Sequence, residues 1–265
     1  MKIKGNGYLS KEGLESSQKI ISKNFEKFEF LEIVLEKIRE FMLAEEITWQ
    51  ETEEEKQKVI ALIVAVRLLE ITEAALLIMK HGMNNEANSM FRIFLDAYFI
   101  IGNVCSDKSF VANYFNSDTS ARLKLLNSVE KHDSELFREI NEYASKALKD
   151  ELKEKITEEN IQAFNSYAYA SNISCEGIYD SMYRITSSVL HTTPRSLENY
   201  VEEKDDIITS INYYPVETDI AQRIYDYSYF LIKVISGLKE LFGKLNVEEI
   251  NDLFQKLEAI EKEND

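Results

Sequence analysis

The stretch that decides the fold is Val59-Ile60-Ala61-Leu62-Ile63-Val64-Ala65-Val66, eight apolar residues in a row. It lies within a helical pattern that begins at Thr52, where Glu55 three residues later completes a capping box, and ends before Gly82. Because the middle of this helix is apolar on every side, we expect it to lie at the centre of a helical bundle. The run is too short to cross a membrane, which takes about 20 apolar residues.

The same 3.6-residue periodicity continues on both sides of this helix, and no long alternating strand is evident. The further predicted helices span residues 13–44, 84–105, 109–131, 133–155, 157–170, 176–191, 217–241 and 247–263. We therefore predict an all-α fold, an up-and-down bundle in a single domain over 1–265. It comprises an N-terminal helical extension (1–50), a core bundle (53–245) and a C-terminal helix (246–265). Residues 192–215 are expected to form a long loop.

Composition excludes several function classes. The formal charge of −16 disfavours a broad, non-specific grip on nucleic acid, which depends on many Lys and Arg side chains. Glycine-rich nucleotide cradles are missing, and the three histidines are not spaced as zinc or di-iron ligands, so we expect no metal and no cofactor. Two cysteines, no secretory signal and no membrane span favour a cytoplasmic protein, with the cysteines buried as small apolar residues.

The helix predicted at 176–191 carries the most reactive pattern in the chain. Ile178, Met182, Ile185 and Val189, flanked by Tyr179, Tyr183 and Leu190, are predicted to face the core. The other side presents Asp180, Ser181, Arg184, Ser187, Ser188 and His191. Arg184 and His191 are separated by seven residues, or about 700° of helical rotation, so they share one face. Asp180 is placed to hold Arg184 at i, i+4, Pro194 ends the helix, and Arg195 follows closely.

A second charged pair, Arg92 and Asp96, lies in the apolar helix 84–105 with i, i+4 spacing. The simplest interpretation is an ion pair that neutralises itself, and the alternative is that Arg92 enters the same cavity as Arg184. Arg184 and His191 also have a structural interpretation, in which they tie their helix to its neighbours through Asp96 or Tyr179.

The stretch Tyr183 to His191 resembles the R-x(4–6)-H motif of the HEPN superfamily, helical bundles that include many ribonucleases of bacterial defence and toxin systems. Together with Ala87 to Ala97, it also resembles a large bacterial family of uncharacterised helical proteins. In that family an R-S-x-x-E helix precedes a Y-x-x-x-S-x-x-x-H helix. This second likeness is the closer one and covers roughly residues 55 to 240.

The HEPN resemblance implies that Arg184 and His191 are catalytic, in a site formed where two copies of their helix meet in a homodimer. It implies an RNA substrate, no metal, and a role as a toxin or phage-defence effector. The other function class is a catalytically silent, HEPN-like module that senses a nucleotide or a protein partner or inhibitor. We further hypothesise that the 192–215 loop covers the Arg184 and His191 site.

Overall fold

The computed structural model describes residues 2–46, 52–129, 145–191, 193–205 and 207–262, except for the side chain of Arg195. Twelve α-helical segments lie in these ranges: α1 Lys11–Lys23, α2 Phe25–Leu43, α3 Glu53–Lys80, α4 Asn84–Ser106, α5 Ser109–Val129, α6 Lys146–Glu158, α7 Ser166–Asn172, α8 Glu176–Ile178, α9 Arg184–Leu190, α10 Pro194–Leu197, α11 Ile220–Leu241 and α12 Val247–Lys262. A π-helical turn, Tyr179–Tyr183, joins α8 to α9, and a 3₁₀ turn, Glu198–Tyr200, follows α10. The all-α fold is therefore confirmed.

The long helices α3 and α4 form an antiparallel hairpin. Half of the predicted capping box forms, because the Glu55 backbone N–H donates to Thr52 Oγ1. The Glu55 carboxylate accepts from that hydroxyl, whereas a full capping box would have it accept from the Thr52 backbone N–H. Gly82 makes the turn between the helices with φ of 67°, and a Cβ atom there would come within 2.8 Å of the Ile20 and Pro215 side chains. Only glycine fits this crossing.

The centre of the bundle is α4 rather than the apolar stretch of α3. Helices α3, α7, α9 and α11 all pack on α4. Its Phe91 and Phe94 are fully buried against Tyr227 of α11, with ring centroids 5.0 and 4.9 Å apart. The apolar stretch of α3 was predicted to lie at the centre, but it is not covered on every side, since Ile63 is 57% exposed. In a run of apolar residues no polar side chain marks the exposed side of the helix. The sequence therefore could not show which side would lack a packing partner.

Two predicted helices are divided in the structure. The one at 13–44 breaks at Asn24, whose backbone N–H and side-chain amide both donate to the Ile20 carbonyl. The prediction of one helix over 157–170 is wrong, because α6 ends at Glu158 and α7 begins at Ser166. Asn165 caps α7 by accepting from the backbone N–H groups of Tyr167 and Ala168. The prediction at 133–155 lies partly outside the described residues.

The prediction of a loop over 192–215 is also wrong, because much of this segment forms short helices and strands. After α10 and the 3₁₀ turn, strands β2 (Val201–Lys204) and β3 (Ile207–Asn212) form an antiparallel hairpin. Strand β1 (Lys2–Lys4) adds to β3 in parallel, giving the order β1-β3-β2. Asp205 carries φ of 54° in the hairpin turn, a conformation that Asp tolerates. The pairing of β1 with β3 joins distant parts of the chain, and local periodicity cannot predict such a contact.

Candidate functional site

The π-helical turn sets which side chains of the predicted catalytic helix face the core. The Arg184 backbone N–H donates to the Tyr179 carbonyl, five residues back. This wider turn rotates the helix relative to a regular 3.6-residue repeat, and such turns occur often at functional sites. As a result Tyr183 and Thr186 are buried. Ile185, predicted to face the core, is instead 58% exposed, so that prediction is wrong.

Tyr183 and Ser187 face α4, where they meet the predicted Arg92–Asp96 ion pair. That pair is confirmed, with Arg92 Nη1 bonded to Asp96 Oδ2. Arg92 Nε also donates to Ser187 Oγ at 2.8 Å, and the Arg92 guanidinium carbon lies 3.5 Å from the centroid of the Tyr183 ring. Ser187 in turn donates to the Tyr183 carbonyl at 2.8 Å. Arg92 is therefore held by three partners, and its side chain is only 16% exposed.

The other oxygen of Asp96 accepts two hydroxyl hydrogen bonds, from Ser166 at 2.8 Å and from Tyr183 at 3.1 Å. The two hydroxyls lie 2.9 Å apart. Burial, reinforced by the Asp96 charge, raises the pKa of Tyr183 to about 12, so the phenol stays neutral at pH 7 and can donate. Ser166 belongs to α7, and no motif in the sequence pointed to it. We call Arg92, Asp96, Ser166, Tyr183 and Ser187 the half-buried cluster.

Arg184 lies on the opposite, solvent-facing side of α9. Its predicted pair with Asp180 is confirmed at 3.1 Å, and 66% of the Arg184 side chain is exposed. The guanidinium also lies over the ring of Tyr179, with 5.8 Å to the ring centroid. Tyr179 is thus a partner of Arg184, as the structural interpretation allowed, whereas Asp96 bonds to Arg92 instead. Arg184 remains open to a ligand or a second protein chain.

His191 ends α9 and is exposed, as Arg184 is. Between them Ser188 donates its hydroxyl to the Ile185 carbonyl at 2.7 Å, so this side chain folds back onto its own helix. Arg195 lies in α10, and its side chain is outside the described part of the structure. The predicted site residues whose side chains are described therefore form two groups. One is the half-buried cluster, whose members bond to one another, and the other is an exposed face with Asp180, Arg184 and His191 beside the half-buried Ser188.

Within the described residues, no three His, Cys, Asp or Glu side chains gather as metal ligands would. No helix in the same part of the chain is long and apolar enough to span a membrane.

A comparison with known protein families gives one match that covers more than half of the chain. Residues 57–208 match the model of the Family of unknown function (DUF5677). The chain belongs to this family. No curated protein and no solved structure matches the chain.

The DUF5677 region runs from α3 to the β2–β3 hairpin and contains every predicted site residue. Helices α1, α2, α11 and α12 lie outside it, although α11 supplies much of the packing around α4. The hairpin at the end of the DUF5677 region does not cover Arg184. Arg184 begins α9, and the chain continues towards the hairpin from the C-terminal end of this helix, at Leu190. On the way to the hairpin, the Asn199 amide donates to the side-chain oxygen of Asn85, at the start of α4, at 2.8 Å. Residues 192–215 were expected to cover Arg184 and His191, but both side chains are exposed, so the structure does not support this expectation.

Proposed function

We propose that this DUF5677 protein is a metal-independent endoribonuclease of the toxin or phage-defence type, acting in the cytoplasm as a homodimer. The observation that carries the proposal is the exposed face of α9. Arg184 and His191 both reach solvent there, separated by about 10.5 Å of helical rise. The HEPN resemblance assigns catalysis to these same two positions.

The exposed face has the features that a two-fold interface requires. Ser188 lies between Arg184 and His191, and its side chain folds back onto the helix, so a second helix can approach closely. Ile185 and Leu190 are exposed beside it and offer apolar surface for burial. A two-fold interface uses the same patch from both copies, and a two-fold axis perpendicular to α9 near Ser188 would pair the two α9 helices antiparallel. Each Arg184 would then face His191 of the second copy.

Two histidines and two arginines in one site are sufficient for RNA cleavage. One imidazole takes the proton of a ribose 2′-hydroxyl, whose oxygen attacks the adjacent phosphorus atom. The phosphorus–O5′ bond breaks, and the second, protonated imidazole gives its proton to the departing O5′. Arg184 stabilises the negative charge that develops on the phosphate oxygens. The products are a 2′,3′-cyclic phosphate and a free 5′-hydroxyl.

The test is cleavage of several labelled RNAs by purified protein in EDTA, with analysis of the product ends. We expect His191→Ala to reduce cleavage by about 10²- to 10⁴-fold, the usual contribution of general acid–base catalysis. Arg184→Ala should reduce it by about 10²-fold or more, because one charge-stabilising group is lost. Both variants must keep the wild-type circular dichroism spectrum.

Arg67→Ala is the matched control, because Arg67 is also an exposed helical arginine with an acidic partner, Glu70 at 3.5 Å. It should cleave like the wild type. Cleavage that persists in both folded site variants, or that disappears equally in Arg67→Ala, would contradict the assignment to α9. Cyclic phosphate ends would identify the 2′-hydroxyl as the nucleophile.

One observation favours the second function class, a silent module that senses a nucleotide or a protein partner. Asp180 already balances the charge of Arg184, and the formal charge of the chain is −16. Both features oppose the approach of RNA phosphates. The two classes differ on overexpression in bacteria: a toxin inhibits growth and His191→Ala relieves the inhibition, whereas a module is tolerated in both forms.

A further inference from the structure

Arg92 of the half-buried cluster keeps one nitrogen of its guanidinium group available to a ligand. Nε donates to Ser187 Oγ, and Nη1 bonds to Asp96. Nη2 makes no hydrogen bond to a described residue and is not sealed from solvent, so the 16% of the side chain that is exposed includes this nitrogen. The group is already held in place by its other bonds. It is therefore a pre-oriented donor for an anion such as phosphate.

His191 lies one helical turn beyond Ser187, the residue to which Arg92 bonds. Side chains at i and i+4 of a helix share a face, with about 5–6 Å between their Cβ atoms. Arg184, in contrast, is seven residues from His191, and its guanidinium bonds back to Asp180, in the opposite direction along the helix. Within one chain, the arginine nearer to His191 is therefore Arg92.

The negative charge of Asp96 lies on the far side of Arg92 from His191. Tyr183 donates to Asp96. One turn later on α9, Ser187 accepts from Arg92, one turn earlier on α4, so the two helices run antiparallel and His191 lies beyond Arg92. The α4 positions one turn before Arg92 carry uncharged side chains: Asn88 and Ser89. An anion beside Arg92 and His191 is thus separated from the cluster's carboxylate.

We infer that Arg92 and His191 of one chain bind the same phosphate group, with Arg92 Nη2 donating to a non-bridging oxygen. The inference rests on the proposed function, which makes this group the scissile phosphodiester of RNA. A sensing module would instead hold the phosphate of a free nucleotide. In the proposed dimer, Arg92 adds a cation from the chain that supplies the histidine, besides Arg184 from the second copy.

The experiment measures binding of an RNA that cannot be cleaved. The probe is a fluorescein-labelled RNA dodecamer of mixed sequence with 2′-O-methyl groups throughout, and its anisotropy is followed at several salt concentrations. We expect Arg92→Gln to bind at least about tenfold more weakly, because one charge-assisted contact is lost. The slope of log affinity against log salt should also fall by about 0.7, the share of one phosphate contact on a single strand.

Asp96→Asn separates recognition from folding. Arg92→Gln and Asp96→Asn break the same ion pair, so a purely structural role would weaken binding in both. If Arg92 binds phosphate, Asp96→Asn removes a competing negative charge, and we expect binding about threefold tighter than in the wild type. This gain should disappear in the double variant, which lacks the arginine.

Arg67→Gln and Glu70→Gln are the matched controls, because they break an exposed arginine–glutamate pair on α3 with the same changes in net charge. Both should bind like the wild type. The same variants are also titrated with AMP by isothermal titration calorimetry. An Arg92 effect on AMP identifies a free nucleotide as the source of the phosphate, and one confined to the dodecamer identifies RNA.

Nuclear magnetic resonance tests the position of the phosphate. The chain has three histidines, so the His191 imidazole signal can be assigned from its loss in His191→Ala, and the bound probe should shift it.

Three results would overturn the inference: no binding of either probe by the wild type, unchanged affinity and salt slope in folded Arg92→Gln, or weaker binding in folded Asp96→Asn. A His191 signal that stays in place when the probe binds would overturn it as well. Because cleavage is not measured, failure of the ribonuclease assay leaves this test intact.

Discussion

The guanidinium carbon of Arg92 lies 3.5 Å from the centre of the Tyr183 ring, and the Tyr183 hydroxyl donates to Asp96, the ion-pair partner of that same arginine. One side chain of the predicted catalytic helix therefore contacts both members of an ion pair on α4. Cation–π and charge-assisted hydrogen bonds both strengthen away from water. This relationship assigns Arg92 and Asp96 a role in holding α9 in place.

Substitutions in the half-buried cluster are expected to reduce stability. Arg92→Ala leaves Asp96, 29% exposed, without its cation, and should lower the free energy of unfolding by about 3 kcal/mol. Tyr183→Phe removes the hydroxyl but keeps the ring over Arg92, and should cost about 1–2 kcal/mol. Urea denaturation followed by circular dichroism measures both. Arg67→Ala, at an exposed pair, should change stability by less than about 0.5 kcal/mol. If Arg92→Ala were as stable as the wild type, the structural role of Arg92 would be refuted.

Glu249 gives a pH-dependent prediction. Hydrogen bonds from Lys239 and Lys37 hold the pKa of Glu249 below its ordinary value of 4.5, and they tie α12 to α11 and α2. A lowered folded-state pKa stabilises the protein above the unfolded pKa, and this stability is lost as the pH falls through the folded value. Glu249→Gln should therefore be less stable by about 1 kcal/mol at pH 7.

The difference between wild type and Glu249→Gln should shrink as the pH falls below about 4, where the wild-type carboxylate becomes protonated. Thermal unfolding from pH 3 to 7 measures it. Glu258→Gln, an exposed position on the same helix, provides the comparison and should show a smaller effect. A constant difference between wild type and Glu249→Gln over this range would contradict the assigned cause.

Cys105 should be inert in the folded protein. Burial, with a smaller contribution from Glu240, raises the pKa of its thiol to about 12 from an ordinary value of 9.0. Because the thiolate is the reactive form, alkylation of Cys105 near pH 8 should be about 10³-fold slower than in unfolded chain. Iodoacetamide labelling with and without 6 M urea, read by peptide mass spectrometry, checks this. Equal rates in both conditions would contradict the raised pKa of this partly buried thiol.

The sequence could predict contacts within one helix better than contacts between distant segments. The pairs Arg92–Asp96 and Asp180–Arg184 follow from i, i+4 spacing, and both form. The π turn, with its i, i+5 bond from Arg184 to Tyr179, does not follow from such spacing. Ser166 joins the cluster from another helix, and β1 pairs with a strand some 200 residues later. Tertiary packing decides such contacts, and a single sequence carries no record of it.

Ile185 offers the sharpest test of the proposed dimer. It is 58% exposed beside Arg184 on α9, so an isologous interface there would bury it. Ile185→Asp would place two carboxylates close to the axis, where desolvation and like-charge repulsion oppose association. We expect a folded monomer with little or no cleavage activity, because the composite site would lose the arginine and the histidine of the second copy. Sedimentation equilibrium gives the mass, and the EDTA cleavage assay gives the activity.

Ile63→Asp is the matched control, since Ile63 is 57% exposed on α3 and takes no part in the proposed interface. It should keep the mass and activity of the wild type. If the wild type is monomeric at the concentration at which it cleaves RNA, the composite site is wrong. A dimer that Ile185→Asp leaves intact but Ile63→Asp disrupts would move the interface to α3, and Arg184 and His191 would then have to act within one chain.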